Sequence, residues 1–249
     1  MNLRPETHLQ GSRKWLWVML IVALVAGVGA FIVFSGGTSE NDTPNKPLPP
    51  NDEIWYTSSD GNVVVPYRSH GEFIYEDKEL FGAEIVSNTY KDGKGVIKFD
   101  GNVTTIGDSV FSDCNCLTSV TIPNSVETIG EHAFDDCSNL KSVTIPNGVT
   151  TIEFCAFQCC SSLRSITIPD GVTTIGEHAF YGCSSLRSIT IPYSVTTIGD
   201  GAFYGCKSLK SVTIPYSVTT IGKFAFFSCD NLSEETKKRI RSINLNTFF

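Results

Sequence analysis

Residues 126–148 read VETIGEHAFDDCSNLKSVTIPNG, and residues 149–171 repeat the frame as VTTIEFCAFQCCSSLRSITIPDG. The register V-x-T-I-G-x-x-A-F-x-x-C-x-x-L-x-S-V-T-I-P returns every 23 residues. A fixed period of this length marks a solenoid, in which one small structural unit stacks on the next. Val103, Val126, Val149, Val172, Val195 and Val218 open the units. Phe111, Phe134, Phe157, Phe180, Phe203 and Phe226 fill a second column, and Leu117, Leu140, Leu163, Leu186, Leu209 and Leu232 a third. No single unit can bury these side chains, whereas stacking at about 4.8 Å gives each column a neighbour above and below.

In the S-V-T-I segment, alternation sends Val143 and Ile145 to one face and Ser142 and Thr144 to the other, which predicts one parallel strand per unit. Pro123, Pro146, Pro169, Pro192 and Pro215 end these segments, since proline cannot donate to a continuing ladder. The spacing of Ala133, Phe134, Cys137 and Leu140 predicts a short helical or 3₁₀ return segment. Ile97 and Phe99 fall in the columns of Val120 and Ile122, so six strands are expected to stack and the solenoid to span 96–232. Glu153 stands where Gly107, Gly130, Gly176, Gly199 and Gly222 stand in other units, which singles out the backbone of that turn.

Outward from the repeat, the region 54–95 is expected to be an N-terminal cap, with Asp60-Gly61 as a hairpin turn between Ile54–Tyr56 and Val63–Val65. Residues 233–249 are expected to form a capping helix and tail. Ser233 serves as N-cap, Glu234 and Glu235 precede Lys237, Lys238, Arg239 and Arg241, and Leu232, Ile240 and Ile243 supply the apolar side. Trp15 to Phe34 are twenty uncharged, mainly apolar residues, long enough to cross a bilayer as helix. Arg4, Arg13 and Lys14 before it, against Glu40, Asp42, Asp52 and Glu53 after it, predict a cytoplasmic tail (1–14), a transmembrane anchor (15–34) and an extracytoplasmic remainder. A cleavable export signal ending near Val28 and Ala30 is the alternative, which makes the rest a secreted protein. The Pro- and Gly-rich stretch 35–53 reads as a flexible linker.

Hydrophobic residues make up 41% of the chain, enough for a sizeable core, and the formal net charge of −7 tells against nucleic acid as partner. The I-G-x-x-A-F-x-x-C-x-x-L core with its proline-ended strand resembles the BspA-type bacterial leucine-rich repeats over residues 96–232. The resemblance implies a surface or secreted protein that binds matrix proteins, host proteins or partner cells, and it supplies no catalytic motif.

Equivalent positions become lines on a solenoid. After Thr118, the residue following each leucine is Lys141, Arg164, Arg187 and Lys210, a row of cations suited to an acidic protein segment or anionic glycan. The plainer account is a solvated edge. Beside it run Ser142, Thr144, Ser165, Thr167, Ser188, Thr190, Ser211 and Thr213, with Tyr193 and Tyr216 as amphipathic rings. Asp108, Glu131, Glu177 and Asp200 form an opposite acidic seam. The cysteine column, Cys114 to Cys229, reads as small buried hydrophobes, and its parallel side-chain directions tell against disulfides. Cys116, Cys155 and Cys159 are the thiols expected to react if exposed. His132, Cys155 and His178 share a column and form the sharpest metal-like grouping, without a fourth ligand. No nucleophile, base and acid converge, so neither enzyme activity nor a cofactor is expected. The leading expectation is a binding or adhesion module; the alternative is a self-associating structural scaffold of the cell envelope.

Overall fold

A computed structural model describes residues 47–66 and 77–244. The expected tail, membrane span and most of the linker lie outside the described residues, as do residues 245–249. Among the described residues no helix is long and apolar enough to cross a membrane.

The described chain begins with strand β1 (Glu53–Ser58), helix α1 (Asp77–Phe81), and strands β2 (Ile85–Lys91) and β3 (Lys94–Phe99). Two strands per coil follow. The S-[V/I]-T segments and their first counterpart form β5 (Leu117–Thr121), β7 (Ser142–Thr144), β9 (Ser165–Thr167), β11 (Ser188–Thr190) and β13 (Ser211–Thr213). They pair parallel in one register, for example Ser188 with Ser211 and Thr190 with Thr213. Val143, Ile166, Ile189 and Val212 point inward as the alternation requires. The expectation of one strand per coil is incomplete, because each T-I pair makes a second, two-residue strand: β4 (Thr105–Ile106), β6 (Thr128–Ile129), β8 (Thr151–Ile152), β10 (Thr174–Ile175), β12 (Thr197–Ile198) and β14 (Thr220–Ile221). Two residues are too few to carry a detectable alternation.

The return stretch is not helical, contrary to expectation. In each coil the residues equivalent to His132 and Asp136 adopt left-handed backbone, with φ of 55° and 53° at those two. A left-handed residue ends a right-handed helix, and the result is a chain of tight turns. From the first coil to the fifth the alternation gives every N–H of this stretch a partner. His132, Phe134 and Asp136 donate across to Phe154, Ala156 and Gln158 of the next coil, at 2.9, 2.9 and 2.8 Å, while Ala133, Asp135 and Cys137 donate back within their own coil. The return side is thus a third inter-coil ladder, and it holds the phenylalanines in register. From Phe111 to Phe226 successive rings lie 5.1–5.5 Å apart and within 13° of parallel, within the centroid range of aromatic pairs.

The cysteine column is buried as expected, and all nine cysteines are free. It also does something the sequence does not disclose. From Cys137 to Cys229 each thiol of the column donates to the phenylalanine carbonyl one coil back, as Cys137 Sγ does to Phe111 O (2.9 Å) and Cys183 Sγ to Phe157 O (3.2 Å). Burial pushes Cys137, Cys160, Cys183 and Cys206 well above their ordinary range. Cys155, expected to react if exposed, is 2% exposed and pushed up to about 12 by burial and then by nearby carboxylates.

Two further expectations fail at the N-terminal end. The strand over 94–99 does not stack on β5, because β1 inserts antiparallel between them, giving the order β13-β11-β9-β7-β5-β1-β3-β2. Ile97 and Phe99 are nevertheless buried. The hairpin turn is Asp92-Gly93, both with positive φ, joining β2 to β3, whereas Val63–Val65 do not pair with β1, whose two edges are taken by β3 and β5. At the other end, helix α2 (Glu234–Ile243) starts on Ser233, whose hydroxyl accepts the Thr236 amide at 3.2 Å, and buries Ile240 against the last coil.

The T-I ladder is broken between β6 and β8. A Cβ on Gly176 would stand 2.6 Å from Ile152 O of the preceding coil, so the column needs glycine for close approach. Glu153 carries a side chain there, and the T-I pairing is lost at that one step. Its carboxyl is half-buried and held above its ordinary range by burial and then by Glu131 and Asp108.

Three outcomes follow. Phe180→Ala should lower stability to guanidinium denaturation by about 3–5 kcal/mol, the cost of an unfilled aromatic site. A carboxyl that holds its proton more tightly when folded stabilises least at high pH. Glu153→Gln should therefore raise the denaturation midpoint relative to the parent at about pH 7, with the gain shrinking near pH 4 as Glu153 protonates. N-ethylmaleimide at pH 8 should leave Cys137, Cys155, Cys160, Cys183, Cys206 and Cys229 unlabelled in the native chain and label them after unfolding, as read by mass spectrometry.

Candidate ligand-binding face

The cation row is set by the backbone itself. The amide of Lys141 donates to Thr118 O, that of Arg187 to Arg164 O and that of Lys210 to Arg187 O, at 2.9, 3.1 and 2.9 Å. Each cation therefore sits one coil above the last, immediately before a strand, on the outer side. Lys141, Arg164, Arg187 and Lys210 are all exposed, and among the described residues none of them has an acidic partner within ion-pair distance.

On the adjoining strands Thr144, Thr167, Thr190 and Thr213 are exposed. Ser142 and Ser165 are half-buried, and Ser188 and Ser211 are exposed, so the serine row opens toward the C-terminal coils. At its N-terminal end β1 closes the face, where Thr57 Oγ1 lies 2.6 Å from Thr118 Oγ1 and 2.7 Å from Ser119 Oγ. Past the prolines, Tyr193 and Tyr216 are 81% and 88% exposed, the least covered large hydrophobic residues among those described. The residues singled out by sequence thus share one continuous surface. Sequence reasoning missed Arg239, which the capping helix delivers to the same surface. Its guanidinium lies 4.9 Å from the Tyr216 ring centre, and its Nη2 donates to Pro215 O at 3.0 Å. No spacing rule relates a helix outside the repeat to a repeat column.

His132, Cys155 and His178 do not act together. His132 Nδ1 lies 2.9 Å from Asp135 Oδ2, Cys155 Sγ donates to Gln158 Oε1 at 3.1 Å, and His178 packs edge-on against Tyr181. Each sits at a left-handed turn position and has a local partner. Among the described residues no group of three His, Cys, Asp or Glu side chains has a geometry that could hold a metal ion.

The architecture has counterparts. A leucine-rich-repeat protein of T. pallidum, TpLRR, is 29% identical, with 61% of this chain and 82% of that chain covered at a TM-score of 0.51. A leucine-rich-repeat protein from Eubacterium ventriosum is 31% identical over 51% of this chain and 34% of its own, at 0.48. A leucine-rich cell surface protein from Faecalibacterium prausnitzii is 28% identical over 76% and 54%, at 0.42. No curated protein matches the chain. The family model described as the BspA type leucine rich repeat region matches in 6 copies over residues 90–192 and 152–249. With the parallel coils and the columns of Phe, Cys and Leu already in place, the chain belongs to the BspA-type leucine-rich-repeat family.

Proposed function

We propose that this protein is a binding or adhesion module displayed outside the cytoplasm, with its strand face as the recognition surface. The observation that carries this reading is the exposed row Lys141, Arg164, Arg187 and Lys210, backed by hydroxyl-bearing strands and the exposed rings of Tyr193 and Tyr216. Four like charges held one coil apart repel each other, and an anionic ligand relieves that repulsion. The flat Ser/Thr rows offer donors and acceptors to an extended partner, and exposed tyrosines supply area at low entropic cost. An acidic protein segment and a sulfated glycan both meet these terms. The uncharged segment Trp15–Phe34 supports single-pass anchoring, with residues 35–53 as tether; cleavage after that segment leaves the same face on a secreted protein.

The test uses the full chain in non-ionic detergent, with heparin and polyglutamate as probes and neutral dextran as control. Either polyanion should bind at low salt, and binding should fade as ionic strength rises. Changing Lys141, Arg164, Arg187 and Lys210 together to Glu should weaken it by about tenfold or more. Polyanion binding that survives the four substitutions, or no polyanion binding at low salt, overturns the reading.

A further inference from the structure

The residue after each T-I-G turn stands at the far end of the return stretch from the cation row. Asp108, Glu131, Glu177 and Asp200 occupy it in four of the coils, all exposed, while Phe154 and Lys223 fill the other two. Glu131 and Lys141, Glu177 and Arg187, and Asp200 and Lys210 are each ten residues apart within one coil. Those coils therefore carry an anion where their turns begin and a cation where they end.

Beside the acidic row runs an unbroken chain of rings outside the phenylalanine core. His132 meets Phe154 at 5.1 Å, Phe154 meets His178 at 6.1 Å, and His178 meets Tyr181 at 5.3 Å. Tyr181, Tyr204 and Phe227 then stack at 4.8 and 5.1 Å, and Phe224, 48% exposed, closes the chain edge-on against Phe227. Carboxylates flanked by aromatic rings suit guanidinium and ammonium groups, which gain from both the charge and the ring. The fitting partner must be a row of cations with a pitch of one coil. The cation row of this same chain has that pitch, because the same backbone ladders set the spacing of both rows.

We propose that the acidic-aromatic edge is a docking surface for a second copy of this chain, which presents its row Lys141, Arg164, Arg187 and Lys210. The two copies use different surfaces, so each docked pair leaves one free acidic edge and one free basic edge, and addition continues sideways. Exposed charges make the contact weak and salt-sensitive. Docking also covers the cation row, so lateral association competes with polyanion capture.

The experiment is sedimentation equilibrium of the full chain in density-matched non-ionic detergent. One variant reverses the basic edge (K141E, R164E, R187E, K210E). Another reverses the acidic edge through Glu131→Lys and Glu177→Lys, leaving Asp108 and Asp200, whose Oδ1 atoms accept the Glu131 and Lys223 amides at 2.8 and 2.7 Å. The unaltered chain should associate at low salt, and each variant alone should do so about tenfold more weakly or worse. Their equimolar mixture should recover the association, because each supplies the edge the other lacks. Glu131→Gln with Glu177→Gln, which keeps side-chain size, should give an intermediate loss. A chain that stays monomeric at low salt, variants that associate undiminished, or a mixture that does not recover overturns the proposal. A chain that binds polyanion yet stays monomeric sinks this inference alone, and one that associates but takes no polyanion sinks only the reading of the strand face.

Discussion

The structure depends on inter-coil hydrogen bonding in strict register. A coil of 23 residues has no interior of its own, and three parallel ladders supply one: the S-[V/I]-T strands, the T-I strands and the turn backbone from His132 to Asp136 and its equivalents. Once these ladders align, equivalent atoms fall at one spacing, and chemistry repeated in sequence is repeated in space. The phenylalanine stack, the thiol-to-carbonyl bonds and both charged rows follow from that alignment. The interruption beside Glu153 is confined to the T-I ladder, because the Phe134–Phe157 stack and the Cys160 bond to Phe134 O cross it intact.

Much of this was legible because periodicity exposes columns directly. The buried faces of Val143, Ile166 and Ile189, the free cysteine column and the Ser233-capped helix all stand where spacing and capping chemistry put them. What escaped has a physical reason in each case. The T-I strands are too short for alternation to speak. Ser109, Cys155 and Phe224 are not residues that announce left-handed backbone, and glycine marks these positions only at Gly182, Gly201 and Gly205, so the return stretch looked helical. Strand β1 reaches the sheet from outside the repeat, and its partners are set by long-range pairing that no local pattern encodes. The Asp60-Gly61 hairpin was the wrong choice, since the Asp-Gly turn that joins paired strands is Asp92-Gly93, which the sequence reading passed over.

The candidate face was legible in its members and less so in its extent. Lys141 through Lys210 could be placed on one line by counting alone. That Thr57 closes one end while Arg239 joins at the other required the three-dimensional chain. The sides of the coil differ sharply in chemistry: hydroxyls and cations along the strands, carboxylates and rings along the turns. Such polarity is inherent in a repeat whose columns are nearly invariant, because each bias in one unit is multiplied by the number of units.

Both ends of the stack are sealed by elements that do not repeat. Phe81 of helix α1 packs on Phe99 and Phe111 at the front, and Ile240 of helix α2 closes the back. Neither terminus offers a bare coil on which another could be added. Growth or shrinkage of such a gene is thereby channelled to the interior, by gain or loss of whole 69-nucleotide cassettes, three nucleotides for each of the 23 residues. Related loci should accordingly differ in the number of coils while sharing the same two stoppers, so that the length of the stack becomes a heritable variable separable from the chemistry at either tip.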